Sequence, residues 1–149
     1  MEVKKEIDTM KTKKVKHTPR AANMDYQEIA RAELMANDIK LCRGCDNGYS
    51  HNRGWSFTDT RTICLSALFA TRTTLYKLLH EVGHIVSGHG RTCKLRRYEK
   101  EAQAEEYARL SFLMLGIPCP RSRVAAGNAY ISRRKRTGDR IIARRKMIR

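Results

Sequence analysis

Between Thr73 and Ser87 the chain sets apolar residues at positions 75, 78, 79, 82, 85 and 86. That spacing fits one buried face of an α-helix and does not fit a strand. A core must form around such a helix, and the two histidines on it are carried inward. They stand in the order His80-Glu81-Val82-Gly83-His84, with Gly88-His89-Gly90 ending the helix. Residues at i and i+4 share a face, so both imidazoles can reach one ion at the ~2.0–2.1 Å of a zinc–nitrogen bond. Glu81, one position on, is placed to reach a water held there, in the role of a general base. Gly83 allows another element to pack closely.

A second helix is predicted from Arg97 to about Leu115, stopped by Gly116-Ile117-Pro118. Glu101 and Glu105 are four apart on it and share a face, with the small Ala104 and Ala108 beside them. An open zinc site takes three protein ligands, and Glu101 is the expected third. Glu105, one turn on, suits a hydrogen bond to the far nitrogen of a metal-bound histidine. The competing assignments exchange these two residues or use Glu106. The longer pattern H-E-x-x-H-x-x-G-x-x-H is ruled out, because Ser87 and Gly90 stand where it needs Gly and His.

The other elements are read more coarsely. Tyr26 to Leu41 reads as an amphipathic helix capped by Asp25, and Trp55 to Leu65 as one or two strands. Ala125 to Arg149 reads as helix interrupted near Thr137-Gly138. The fold expected is α+β, with an active-site helix, a second Glu-bearing helix and a small sheet. It divides into a basic arm (1–20), a core (21–120) and a basic C-terminal extension (121–149). No run approaches the ~18–20 apolar residues of a membrane span. The five cysteines, with no secretory leader in sight, are expected to be reduced thiols in the cytoplasm. Cys42-x-x-Cys45 with His51 is half a zinc site at best. Trp55, Tyr49 and Phe57, near Arg53, read as core or strand-face residues, with stacking on nucleobases the rarer role.

The net charge of +16 is uneven: residues 1–20 carry +4, residues 21–120 carry +2 and residues 121–149 carry +10. Basic ends around a near-neutral middle point to polyanions, DNA or RNA above all. The expected contacts are Arg133, Arg134, Lys135, Arg136, Arg144, Arg145 and Lys146, opposed only by Asp139.

The stretch Leu78 to His89, then Tyr98 to Glu105, then Gly116-Ile117, resembles the zincin-like metallopeptidase domain of ArdC-type antirestriction proteins. Asp59-x-Arg61-x-Ile63-x-Leu65, Asn128-Ala129-Tyr130-Ile131 and Asp139-Arg140-Ile141-Ile142 are similar to further segments of that domain. The resemblance spans roughly residues 55–143 and overlaps the ImmA/IrrE-type peptidases. It implies a zincin-like single domain that binds Zn²⁺ and hydrolyses a peptide bond in a protein or peptide substrate. It also implies a phage or mobile-element origin, in a bacterial host cell or carried in a virion. His89 lies one residue further from His84 than in the usual ArdC pattern, and Gln103 replaces a Glu usual in ImmA/IrrE relatives. The separate single-stranded-DNA-binding domain of ArdC proteins has no counterpart here. Two rival readings remain: a nucleic-acid-binding protein on the same scaffold, and a structural component in which zinc only holds the fold. Tyr98, Tyr107, Tyr130 and His89 are the candidate donors to an oxyanion.

Overall fold

A computed structural model describes residues 25–42, 55–65 and 71–147, the last six as backbone only. The arm at 1–20, Cys45, Tyr49, His51 and the side chains of Arg144, Arg145 and Lys146 lie outside the described residues. The architecture of the described residues is α+β: four helices and one three-stranded sheet.

Helix α1 spans Tyr26–Ala36, and the Asp25 carboxylate accepts from the Gln27 amide at 2.9 Å. It stops earlier than the apolar pattern suggested. Asn37 and Asp38 make a turn, with Asp38 at φ 47°, and the Ile39 amide donates back to the Leu34 carbonyl at 2.9 Å. Asn and Asp tolerate left-handed backbone and hydrogen-bond locally, so they break the helix although Ile39 continues its spacing. Ile39 is buried all the same, and Lys40–Cys42 form strand β1.

Strands β2 (Trp55–Phe57) and β3 (Thr62–Cys64) pair antiparallel, with Ser56 opposite Ile63; β1 pairs parallel to β3, with Leu41 opposite Ile63. The order is β1-β3-β2, which makes β2 an edge strand. The central Ile63 is fully buried, and Trp55 and Phe57 are roughly half exposed on the edge.

Helix α2 (Arg72–Val86) begins at a Thr71–Thr74 capping box and ends before Gly88, whose φ of +66° suits glycine. Leu75, Leu78, Leu79 and Val82 are completely buried against the sheet and the other helices. Helix α3 (Arg97–Met114) starts with the Glu99 carboxylate accepting from the Arg96 amide at 2.6 Å. It ends at Gly116, also at φ +66°. The two helices pack where Gly83 meets Ala104: a Cβ on Gly83 would lie 3.0 Å from the Ala104 Cα and 2.9 Å from the Tyr107 Cβ. Lower down, Tyr76 meets Phe112 edge-on, with ring centroids 5.3 Å apart.

Helix α4 runs unbroken from Arg121 to Met147, where an interruption near Thr137-Gly138 was expected. One glycine inside a helix costs about 1 kcal/mol and does not by itself end it. The Thr137 hydroxyl turns back to donate to the Arg133 carbonyl at 3.0 Å, within the helical path.

Cys42 is disulfide-bonded, so the expectation of five reduced thiols does not hold. Count and compartment set that expectation, whereas the fold decides which sulfurs meet. Cys93 and Cys119 are free. Among the described residues no helix is long and apolar enough to cross a membrane.

Candidate metal centre

The close approach at Gly83 brings the inner face of α3 against the histidine face of α2. His80 Nε2 lies 3.5 Å from Glu101 Oε2, and His84 Nε2 lies 3.9 Å from the same oxygen. One ligand atom from each of these three residues falls within 4.8 Å of the others. Four ligands placed tetrahedrally at ~2.0–2.1 Å from a zinc stand about 3.3 Å from one another. The 3.5 and 3.9 Å edges are therefore close to the size of a metal site. Imidazole and carboxylate are the donor set zinc accepts with one position left open.

Each histidine is held from behind. His80 Nδ1 lies 3.3 Å from Glu105 Oε1, an ion-pair distance but off the hydrogen-bonding direction, so this buried nitrogen has no aligned partner. Glu105 is itself buried, and its other oxygen accepts from the Tyr76 hydroxyl at 2.6 Å. His84 Nδ1 meets His89 Nδ1 at 2.8 Å, and His89 Nε2 meets the Gln103 side-chain oxygen at 2.8 Å. His89 thus supports His84 through its ring. The Gln at 103, read above only as a departure from relatives, is what holds His89.

The electrostatics of the metal-free cluster follow from burial and mutual charge. Burial alone would lower the His80 pKa, but the adjacent carboxylates of Glu101 and Glu105 and the charge of Glu81 raise it to about 10. Burial and the neighbouring His80 charge lower His84 to about 4. Burial pushes Glu101 and Glu105 upward, but contact with His80 outweighs it and both end below the ordinary carboxylate range. A proton is therefore held at His80, between two carboxylates, where a cation would otherwise sit. Glu81 behaves oppositely. Burial raises its pKa against the pull of His80 and a hydrogen bond from Ser56 on β2. A carboxyl with a raised pKa beside a cation site is suited to take and return a proton.

A cleft of about 770 Å³ opens over this cluster. The sheet edge lines it with Trp55, Ser56 and Thr58, and α4 lines it with Gly127 and Tyr130. A Cβ on Gly127 would lie 2.5 Å from the Glu105 Cδ, so only glycine lets α4 cover that carboxylate.

Of the sequence-derived candidates, His80, Glu81, His84, Glu101 and Glu105 come together. Glu106 is exposed and pairs with Arg109 at 3.2 Å. Among the four proposed oxyanion donors, His89 and Tyr130 line the cleft. Tyr107 instead donates to Glu33, and Tyr98 is not in the lining. Arg133 and Arg134 face the cleft beside Tyr130, with guanidinium carbons 5.6 and 5.1 Å from its ring centre; Lys135 and Arg136 are exposed. Sequence reasoning missed Tyr76, Ser56 and Gly127. Tyr76 had a signal, since it lies four residues before His80 and so on the same face of the helix. The other two depend on tertiary placement. No family model matches this chain, and neither a curated protein nor a solved structure does.

Proposed function

We propose that the chain is a zinc-dependent metallopeptidase, with His80, His84 and Glu101 holding the metal and Glu81 as general base. The observation that carries this is the convergence of the three ligand atoms beside a half-buried Glu81, with His84 hydrogen-bonded to His89 and Glu105 3.3 Å behind His80. The resemblance of Leu78–His89 and Tyr98–Glu105 to the metallopeptidase domain of ArdC-type antirestriction proteins supports the same reading.

Zinc in that position would supply Lewis acidity toward a scissile carbonyl and lower the pKa of a water toward ~7. Glu81 takes the proton from the attacking water and passes it to the departing amine, and the Ser56 hydrogen bond orients it. Glu105, fixed by Tyr76, stands 3.3 Å behind His80 Nδ1 and favours the tautomer that leaves Nε2 to bind; His89, hydrogen-bonded to His84 Nδ1, does the same for that ring. Tyr130 on the cleft wall is the preferred donor to the developing oxyanion, because His89 is committed to His84 and Gln103.

The test joins metal content and hydrolysis. Wild-type protein is expected to hold about one zinc, and His80→Ala with His84→Ala none. Glu81→Gln should keep zinc and fold and lose peptide hydrolysis. Full zinc occupancy in the double variant, or native-rate cleavage by Glu81→Gln, would reject the assignment.

A second reading concerns the outer face of α4. Lys135 and Arg136 are exposed there and make no ion pair among the described residues. With Arg144, Arg145 and Lys146 further along the chain they would give sequence-independent contact with DNA or RNA.

A further inference from the structure

The cleft is charged in two tiers. Its floor holds Glu101 and Glu105, turned to the histidines, and Glu81, hydrogen-bonded to Ser56. Its walls hold six cations: Lys77 on α2, Arg97 and Lys100 on α3, and Arg123, Arg133 and Arg134 on α4. None of the six makes an ion pair with a carboxylate among the described residues, whose wider salt bridges use Arg96 and Arg109 instead. Lys100 reaches only the Gly90 carbonyl, at 3.4 Å. Arg134 leans on Tyr130, and its Nε is buried with no hydrogen-bond partner. Lys77 and Arg123 face each other across the α2–α4 junction closely enough for the Arg123 charge to act on the Lys77 ammonium. Arg97 is near enough for its charge to act on Glu101, but the six cations outnumber the three floor carboxylates, which are engaged with the histidines and Ser56, and a buried donor is left over.

We infer that these wall cations are a specificity site for acidic side chains of the substrate, so that the cleft selects peptides rich in Asp or Glu around the bond over the metal. The inference rests on the peptidase reading for what lies at the floor. Charge geometry chooses the ligand class. A nucleic-acid strand would have to run its phosphates over three floor carboxylates. A peptide presents its neutral backbone to the floor and its side chains to the walls. The cations also stand on three different helices around the opening, which suits side chains leaving a backbone on several sides and does not make a linear phosphate track.

Full-length zinc-loaded protein is titrated, by fluorescence anisotropy, with labelled Glu-rich, Ser/Gly and Lys-rich peptides of equal length and with a labelled oligothymidylate. The same peptides are followed for cleavage by mass spectrometry. The Glu-rich peptide is expected to bind about tenfold more tightly than the neutral one, with the Lys-rich one weakest. Arg123→Ala with Arg134→Ala should erase that margin at unchanged zinc content. Arg123→Lys with Arg134→Lys should keep most of it, and Arg123→Glu with Arg134→Glu should turn the preference toward the Lys-rich peptide. Equal affinity for the three peptides, a margin that survives the alanine pair, or oligothymidylate binding tighter than any peptide and lost in that pair would overturn the inference. The two readings fail separately. A Glu-rich peptide that binds with this margin and is not cut rejects the peptidase and retains the acidic-peptide site; cleavage without charge preference does the opposite.

Discussion

The spacing of α2 and α3 at Gly83 makes a sharp test, because stability and metal binding both pass through it. In Gly83→Ala the new methyl would stand 2.9 Å from the Tyr107 Cβ, 3.0 Å from the Ala104 Cα and 3.1 Å from its carbonyl oxygen. Ordinary contact begins near 3.4 Å, so the helices must part by about 0.5 Å. The nearest atoms are backbone and Cβ and cannot swing aside. Overpacking of this kind costs about 1–3 kcal/mol. The better helix propensity of alanine returns about 1 kcal/mol. A net loss of about 1 kcal/mol is expected, read as a lower urea midpoint in the metal-free protein. The larger effect falls on zinc. His80 and His84 reach Glu101 across this same gap, at 3.5 and 3.9 Å, already slightly wider than the ~3.3 Å edge of a zinc tetrahedron. A further half ångström exceeds the tolerance of such a site, and affinity measured against a chromophoric chelator should fall at least about tenfold. Gly138→Ala is the internal control: nothing lies within 4 Å of its Cβ position, so it should stabilise α4 by up to about 1 kcal/mol and leave zinc binding alone. If Gly83→Ala also gains stability and keeps the wild-type zinc affinity, the close-packing account of the site is wrong.

Three further outcomes can be measured directly. His80 is protonated in the metal-free protein at any pH below about 10 and must be neutral to bind a metal, so zinc binding at pH 7 should release about one proton and tighten as pH rises toward 10; calorimetry in two buffers of different ionisation enthalpy reads this, and zero net release would contradict it. Tyr76→Phe leaves the buried Glu105 oxygen without its donor and should lower unfolding free energy by about 1–3 kcal/mol, with a smaller loss of zinc affinity; unchanged denaturation would show that the hydroxyl is not needed there. Replacing Lys135, Arg136, Arg144, Arg145 and Lys146 with alanine should weaken binding to DNA and RNA and flatten its salt dependence, without touching Arg133 and Arg134 at the cleft; equal affinity at two salt concentrations would remove the second reading.

The part of the site written in local sequence was the easiest to read. Four-residue spacing on a helix fixes which side chains share a face, and this alone put His80 with His84 and Glu101 with Glu105. Gly83, Ala104 and Ala108 likewise announced a close helix contact by their small size. Choosing between Glu101 and Glu105 required the crossing of α2 and α3, which no spacing encodes. The support given by His89 depends on the turn at Gly88, which folds the residue back over the helix end. Helix α1 was read too long because Ile39 keeps the apolar rhythm and is buried, although it follows the turn at Asn37 and Asp38. The α4 wall was hidden for another reason: its mean composition is that of a solvated basic tail, and the contacts that tie it to the centre, Gly127 on Glu105 and Val124 on the core, are tertiary.

The contact of Gly127 with Glu105 has a mechanical consequence. Helix α4 is 27 residues long, about 40 Å, and the 20 residues beyond Gly127 make an arm of about 30 Å. A rigid helix pivoting by about 5° where it crosses Glu105 moves its far end by about 2–3 Å. A shift at the carboxylate behind His80 would be carried outward along the same beam, restrained by the Arg96–Asp139 pair at 4.0 Å. A spin label or fluorophore near residue 147 would act as a pointer whose displacement reports on the centre from a distance, without a probe entering the cleft.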